Sequence, residues 1–447
     1  MSEASLHRPR LPREIWVLAG AALLIALGYG LVAPVLPQFA RSFDVSVAAA
    51  SFVVSVFSLA RLLFAPAGGA LITKLGERRI YMAGLVIVAI SSLLTAFAQN
   101  YTQLLIFRGL GGIGSTMFTV SAMGLIVRLA PPTARGRASS TYATAFLLGN
   151  IGGPVIGGFL AEFGLRVPFV VYAVMLMFAV VVVWRLLPAT GTGSARPHDA
   201  SPPMQFGEAI RDSAYRAALA SGFANGWANF GVRVALLPLF AAAALEAGPW
   251  AAGLALAVFA AGNAVALNIA GRQADVRGRK PLILIGIAVS GAFTAVLGLS
   301  DNLLVVLAVS ALAGVGAGLL NPAQQAAIAD IIGNQRSGGK VLAGFQMAMD
   351  TGAIIGPVLA GALADQFGFG AAFGVSGMIM LLAGLGWLFA RETLEHPEGD
   401  KPSDGPDHDG PDHGGPDHDG PDHGGPDHGG PGHHTGQDHD GPDPGPR

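Results

Sequence analysis

Four sets of glycine and proline marks recur in the same order along this chain, 201 to 203 residues apart. Gly30 with Pro37 returns as Gly231 with Pro238, and Gly69…Gly76-Glu77-Arg78 returns as Gly271…Gly278-Arg279-Lys280. Gly112-Ile113-Gly114 returns as Gly314-Val315-Gly316, and Gly153-Pro154 returns as Gly356-Pro357. Apolar sequence fills the space between the marks. Glycine and proline set where helices bend and touch, so two copies in register predict one duplicated bundle of membrane helices.

A bilayer core needs about 20 apolar residues per helix. Twelve runs qualify, six per repeat: roughly 15–38, 47–71, 80–99, 102–127, 138–161, 166–187, 215–243, 249–271, 281–299, 302–329, 339–364 and 369–390. Any one of them could be a buried soluble helix, but twelve in succession with almost no polar face leave little room for that. Only 13% of the 447 residues are charged, against roughly 25% in an ordinary soluble domain. The predicted class is an all-α membrane protein of twelve transmembrane helices in two six-helix bundles. The first run could pass for a signal peptide, since His7, Arg8, Arg10 and Arg13 precede it. It is too long for a secretory apolar segment, and no Ala-x-Ala-like cleavage site stands at its end. A net charge of −2 offers no basic face for nucleic acid, and the absence of Cys excludes disulfides and thiolate metal sites.

Lys and Arg collect on one side. With the N-terminus inside, 22 of them fall in inside segments, Arg41 and Arg166 fall outside, and Arg61, Arg108 and Arg233 fall within runs. By the positive-inside rule both termini are cytoplasmic. The organisation expected is a cytoplasmic segment 1–14, an N-terminal bundle 15–187, a flexible Pro-rich linker 188–213, a C-terminal bundle 214–391 and a tail 392–447. From Gly405 the tail becomes a five-residue repeat carrying His408, His413, His418, His423 and His428 with interleaved Asp. It cannot bury a core and is expected to be disordered. Imidazole and carboxylate together suit Zn, Ni, Co or Cu, but the spacing is loose, and a solvated low-complexity tail explains it equally.

Three motifs carry a resemblance. After the second run stands Gly69-Ala70-Leu71-Ile72-Thr73-Lys74-Leu75-Gly76-Glu77-Arg78-Arg79, and after the eighth Gly271-Arg272-Gln273-Ala274-Asp275-Val276-Arg277-Gly278-Arg279-Lys280. The fourth run holds Arg108-Gly109-Leu110-Gly111-Gly112-Ile113-Gly114 and the fifth Gly149-Asn150-Ile151-Gly152-Gly153-Pro154-Val155-Ile156-Gly157-Gly158. Across about residues 14–391 the chain resembles a twelve-helix member of the major facilitator superfamily, of the drug:proton antiporter kind. The departures are Thr73 where the family usually has Asp, Glu77 where it often has Arg, and Gly111 where it has Gln. The resemblance implies that the loop motifs latch the two halves. Physically, an acid meets a helix N-terminus and cations meet C-terminal carbonyls, though a plain positive-inside anchor would look the same. It implies that Arg108 takes part in proton coupling. A structural Arg reaching for the membrane surface is the alternative. It implies export for Gly149, Gly153, Pro154, Gly157 and Gly158, whose small residues suit a close seam between the fifth and eighth helices.

The expected function is proton-coupled efflux of amphiphilic, drug-like molecules by alternating access. The alternatives are metal-ion (Ni, Co or Zn) efflux with the tail as a sink, uptake or efflux of another neutral solute, and, from another class, a membrane receptor. No enzyme chemistry and no cofactor are expected. The partners expected are a small-molecule substrate, protons and the bilayer of the cell membrane, with no nucleic acid and a monomeric protein. Tyr29, Phe118, Asn225, Trp227, Asn229, Gln324 and Gln325 are the expected cavity residues. Asp350 is the deepest carboxylate and Glu162 the next, so both are proton-site candidates. Arg61 lies about 12 Å from the inner end of its run and Asp350 about 16 Å from the inner end of its own. Since the resemblance packs those two helices together, Arg61 and Asp350 are expected to face each other.

Overall fold

The computed structural model describes residues 11–131, 134–188, 204–333, 336 and 338–394. Every regular element among them is helical. The first half of the sequence forms α1 (Arg13–Val32), α2 (Leu36–Arg41), α3 (Val47–Leu75), α4 (Glu77–Ala96), α5 (Tyr101–Leu129), α6 (Arg135–Ala161) and α7 (Val167–Leu186). The second half forms α8 (Phe206–Ala209), α9 (Ser213–Asn225), a π-helical turn (Gly226–Val232), α10 (Arg233–Ala244), α11 (Pro249–Arg277), α12 (Arg279–Val296), α13 (Leu303–Ile332) and α14 (Gly339–Phe389). Eleven spans among the described residues are long and apolar enough to cross a membrane.

Polar residues in the loops start these helices where the apolar runs alone would not. Ser46, Asn100, Asp212 and Asn302 each accept a backbone N–H from the first turn of α3, α5, α9 and α13, which satisfies donors that would otherwise be orphaned. Between α3 and α4, and again between α11 and α12, the chain turns through one glycine. Gly76 has φ 83° and Gly278 φ 97°, a region costly for any residue with a Cβ.

The structure departs from the run pattern in four places. The first run breaks after Val32, and Pro37 fits the first turn of α2 because it needs no N–H there. The seventh run is interrupted by the π turn. The last two runs form α14, a 51-residue element divided at Gly368 (φ 82°), so that 339–367 and 369–389 are separate legs. The linker expected to be flexible over 188–213 is folded from Met204 onward. There Phe206 packs edge-on to Tyr215, Lys340 donates to Gln205 at 2.8 Å, and Arg336 pairs with Glu208. Residues 395–447, with the tail histidines, lie outside the described residues.

The repeated marks are contact points. A Cβ at Gly30 of α1 would stand 2.7 Å from Pro154 Cδ of α6, and one at Gly231 would stand 2.8 Å from Pro357 Cδ of α14. A Cβ at Gly84 would meet Gly114 O at 2.7 Å, and one at Gly286 would meet Gly316 O at 2.8 Å. Between apolar helices in an apolar medium, such close approach lets van der Waals contact replace the missing hydrophobic drive. The fifth-run motif is used differently from expectation. Gly149, Gly153 and Gly157, spaced by four, lie against α1 at Leu23–Leu31 within the same half. Gly158 alone of the four meets α11, where its Cβ would stand 2.8 Å from Trp250 Cα. Spacing by four selects one helix face, and Gly158 is turned about 100° from Gly157.

Each half packs on itself through matched pairs of helices, α1 on α6 and α4 on α5, then α9 with the π turn on α14 and α12 on α13. The halves meet along two main seams, α3 against α14 and α6 against α11, with α10 also touching α2 and α3.

Candidate functional site

Successive helices run back and forth between two ends. The terminal end holds the start of α1, the end of α14 and the turns at Gly76 and Gly278; the far end holds the loops 42–46, 97–100, 162–166 and 245–248. At the far end the two halves are stitched together. Asp365 of α14 accepts from Val47 N and Ala48 N of α3, both at 2.9 Å, a carboxylate placed on a helix N-terminus where the dipole favours it. Gln38 donates to Pro238 O at 3.0 Å. Glu162 ends α6 here, with its carboxylate beside Gly248 just ahead of α11. Further along the α3–α14 seam, Ser55 donates to Ile354 O at 2.6 Å.

Toward the terminal end the flanks of the seams are exposed, at Ala143, Thr144 and Leu148 of α6 and Leu342, Gln346 and Met347 of α14. The antiparallel register set by Asp365 and Ser55 brings Arg61 opposite Asp350. Their charges act on one another, yet the ion pairs among the described residues do not include them. Asp350 instead accepts from Gln346 Nε2 of its own helix at 2.9 Å.

Arg108 is 5% exposed, with its guanidinium 4.7 Å above the Phe57 ring. Its Nε has no acceptor. Tyr29 lies 6.1 Å from the same ring. Arg108 is thus buried against the Phe57 ring inside the first half.

The expected cavity residues divide. Tyr29 is half-buried and Gln325 exposed, but Phe118, Asn225, Trp227, Asn229 and Gln324 are each 6% exposed or less. The polar ones are drawn inward into hydrogen bonds, with Asn229 Oδ1 and Gln324 Oε1 left without a partner. Gln324 donates to Ser221 at 2.6 Å, Asn225 to Asn321 at 2.8 Å, Asn229 to Asn225 at 2.8 Å, and Trp227 to Ser376 at 3.0 Å. Phe118 is part of the apolar core. A cavity of about 310 Å³ lies beside Trp227, lined by Leu359, Ala362, Leu363, Gln366 and Val375, and it is mostly apolar.

The described contacts of the loop-motif cations lie within their own halves. Arg78 donates to Trp184 O at the end of α7 at 2.7 Å, and Lys280 to Leu388 O and Ala390 O at the end of α14 at 3.0 and 2.8 Å. Both place a cation on a helix C-terminus. Glu392 closes the same corner, accepting from Arg279 N at 2.9 Å and Lys280 N at 3.1 Å. Lys74 is exposed. The surroundings of Gly69 and Gly271 and the side chain of Asp275 lie outside what is described. Among the described residues no group of three or more His, Asp or Glu could hold a metal.

A duplicated all-helical bundle with membrane-length helices, two seams between its halves and a cleft closed at one end defines a polytopic membrane protein. The sequence model of the Major Facilitator Superfamily matches residues 18–232 and 218–417, and the chain belongs to that family. It is 33% identical over 157 residues to the quinolone resistance protein NorA of Staphylococcus aureus, which covers 35% of this chain and 40% of NorA. It is 26% identical over 170 residues to multidrug resistance protein 2 of Bacillus subtilis, covering 38% and 42%. The matches thus span about two-fifths of these relatives. The fold matches the inward-facing, occupied crystal structure of a bacterial homologue of the human lysosomal transporter Spinster, with TM-score 0.69 and 14% identity over 84% of this chain and 95% of that one.

Proposed function

We propose that this chain is a secondary transporter that exports amphiphilic, drug-like molecules in exchange for protons. In this reading its twelve membrane segments form two six-helix bundles that rock about the α3–α14 and α6–α11 seams, with both termini in the cytoplasm. The observation that carries it is the asymmetry of the seams. Asp365, Gln38 and Gly158 close the far end across the halves, while the flanks of the cleft toward the terminal end are exposed. This is the shape of a carrier open to the cytoplasm, ready to load a molecule for export. The likeness to NorA and multidrug resistance protein 2 supports drug-like substrates, and the half-buried Asp350 facing Arg61 supports proton exchange. Metal efflux finds no ligand group among the described residues.

The test is efflux from proteoliposomes with an imposed pH gradient, using a panel of cationic dyes and quinolones beside Ni and Zn. Dye efflux that stops when the pH gradient is collapsed supports the reading. Transport that follows a sodium gradient instead, or that carries only the metals, rules it out.

A further inference from the structure

The second half contains a buried cation that the transport cycle above does not use. Arg233 opens α10 directly after the π turn, and it is 1% exposed. π turns collect at functional positions because the extra residue re-aims a side chain. The guanidinium lies 4.2 Å above the Phe259 ring of α11, and Nη2 donates to Thr294 Oγ1 of α12 at 2.9 Å. Its other two nitrogens, Nε and Nη1, are sealed from solvent with no acceptor. No carboxylate pairs with it among the described residues.

The internal repeat sharpens this. Phe57 and Phe259 are 202 residues apart, and each carries an arginine on its ring. The arginines, however, come from different helices. The position 202 residues after Arg108 is Ser310, fully buried, whose hydroxyl also has no partner. At that place in the repeat the second half therefore carries a hydroxyl where the first half carries a cation. Arg233 itself leaves two donors unmet, Nε–H and Nη1–H.

A guanidinium stays charged in proteins, and an uncompensated buried charge is among the least tolerable features of a fold. Water would satisfy the N–H groups but would leave the charge unopposed. An anion satisfies both. We propose that the second half holds one small monovalent anion against Arg233, a halide or a small carboxylate, enclosed by α10, α11 and α12. The site stands independently of drug efflux, since its test needs no transport.

The test is thermal unfolding of the purified protein in detergent, in a background of isethionate as the reference anion. Chloride and benzoate are titrated separately. The expected result is a rise of roughly 2–4 °C in Tm for the wild type, and none for Arg233→Gln. A rise with chloride identifies a halide, and a rise with benzoate alone identifies a carboxylate. Equal Tm values in all three anions, or the same rise in Arg233→Gln, overturn the site. Should Arg233→Gln fail to fold, the wild type is read by chloride-35 NMR. Excess line broadening that bromide or benzoate displaces supports the site, and broadening that neither displaces overturns it.

Discussion

Glu77 and Arg128 form an ion pair at 2.9 Å where α4 begins and α5 ends. The positions 202 residues later, Arg279 and Asp330, form the same pair at 3.1 Å with the charges exchanged. The Glu that departs from the family's loop motif is thus one half of an inverted pair. The Glu77 side chain is 8% exposed and that of Arg128 23%, so the acid depends on its partner for solvation.

Removing one partner of a buried pair costs about 3–5 kcal/mol; with Arg128 partly in water the expected loss for Glu77→Gln is nearer the lower figure. Glu77→Arg alone sets like charges together and is expected to be worse. The double variant Glu77→Arg with Arg128→Asp copies the second half and should recover most of the loss. Thermal unfolding in detergent measures this, and a double variant no more stable than Glu77→Arg would defeat the argument.

Asp350 sees the Arg61 charge without touching it. Asp350→Asn is expected to lower proton-driven efflux at least tenfold, while exchange of labelled for unlabelled substrate, which needs no net proton movement, persists. A static tie would tolerate the swap Arg61→Asp with Asp350→Arg, whereas a proton switch would not. Full gradient-driven transport by the swapped protein would remove Asp350 from the coupling mechanism.

Gly30 has backbone on its Cα side, with Gly153 Cα 2.8 Å and Pro154 Cδ 2.7 Å from where a Cβ would lie, whereas Gly20 of the same helix has nothing within 4 Å. Gly30→Ala forces α1 from α6 and is expected to destabilise by about 1–3 kcal/mol. Gly20→Ala should be neutral or slightly stabilising, since alanine favours helix. Matched unfolding curves of the two variants decide this.

Burial raises the Glu392 carboxyl, but four backbone N–H groups, from Leu394, Arg279, Lys280 and Thr393, outweigh it and hold the group below its ordinary 4.5. Asp212 behaves alike: burial raises it, and the Arg391 side chain and the Ala214 N–H bring it below 3.8. A carboxyl lowered on folding adds stability above its unfolded pKa and loses it as pH falls through the folded value. The destabilisation by Glu392→Gln should therefore be full at neutral pH and fade below about pH 4. Ending the chain after Leu394 should leave the fold and dye efflux intact, while ending it after Ala390 removes this clamp and should lower the unfolding temperature. A Glu392→Gln penalty that stays constant down to pH 3 would contradict the assignment.

Much of the architecture was legible in the chain itself. Twelve apolar runs, one-sided Lys and Arg, and repeated Gly and Pro marks determine membrane-length helices and a duplication, because a bilayer demands length and close packing demands small residues at set intervals. The charge pattern also made Arg61 and Asp350 candidates, since ionised groups are costly in an apolar run wherever they point. What spacing along one helix cannot carry is the direction of a side chain once several helices surround it. Only the tertiary structure turned Gly149, Gly153 and Gly157 onto α1, drew Asn225, Asn229 and Gln324 into a buried network, and set Asp365 on the N-terminus of α3. Arg233 shows the same limit. In the sequence it is one more cation within a run, and its isolation emerges only when α11 and α12 close around it and, among the described residues, bring no carboxylate to it, because solvation of a buried charge is settled by neighbours distant in the chain.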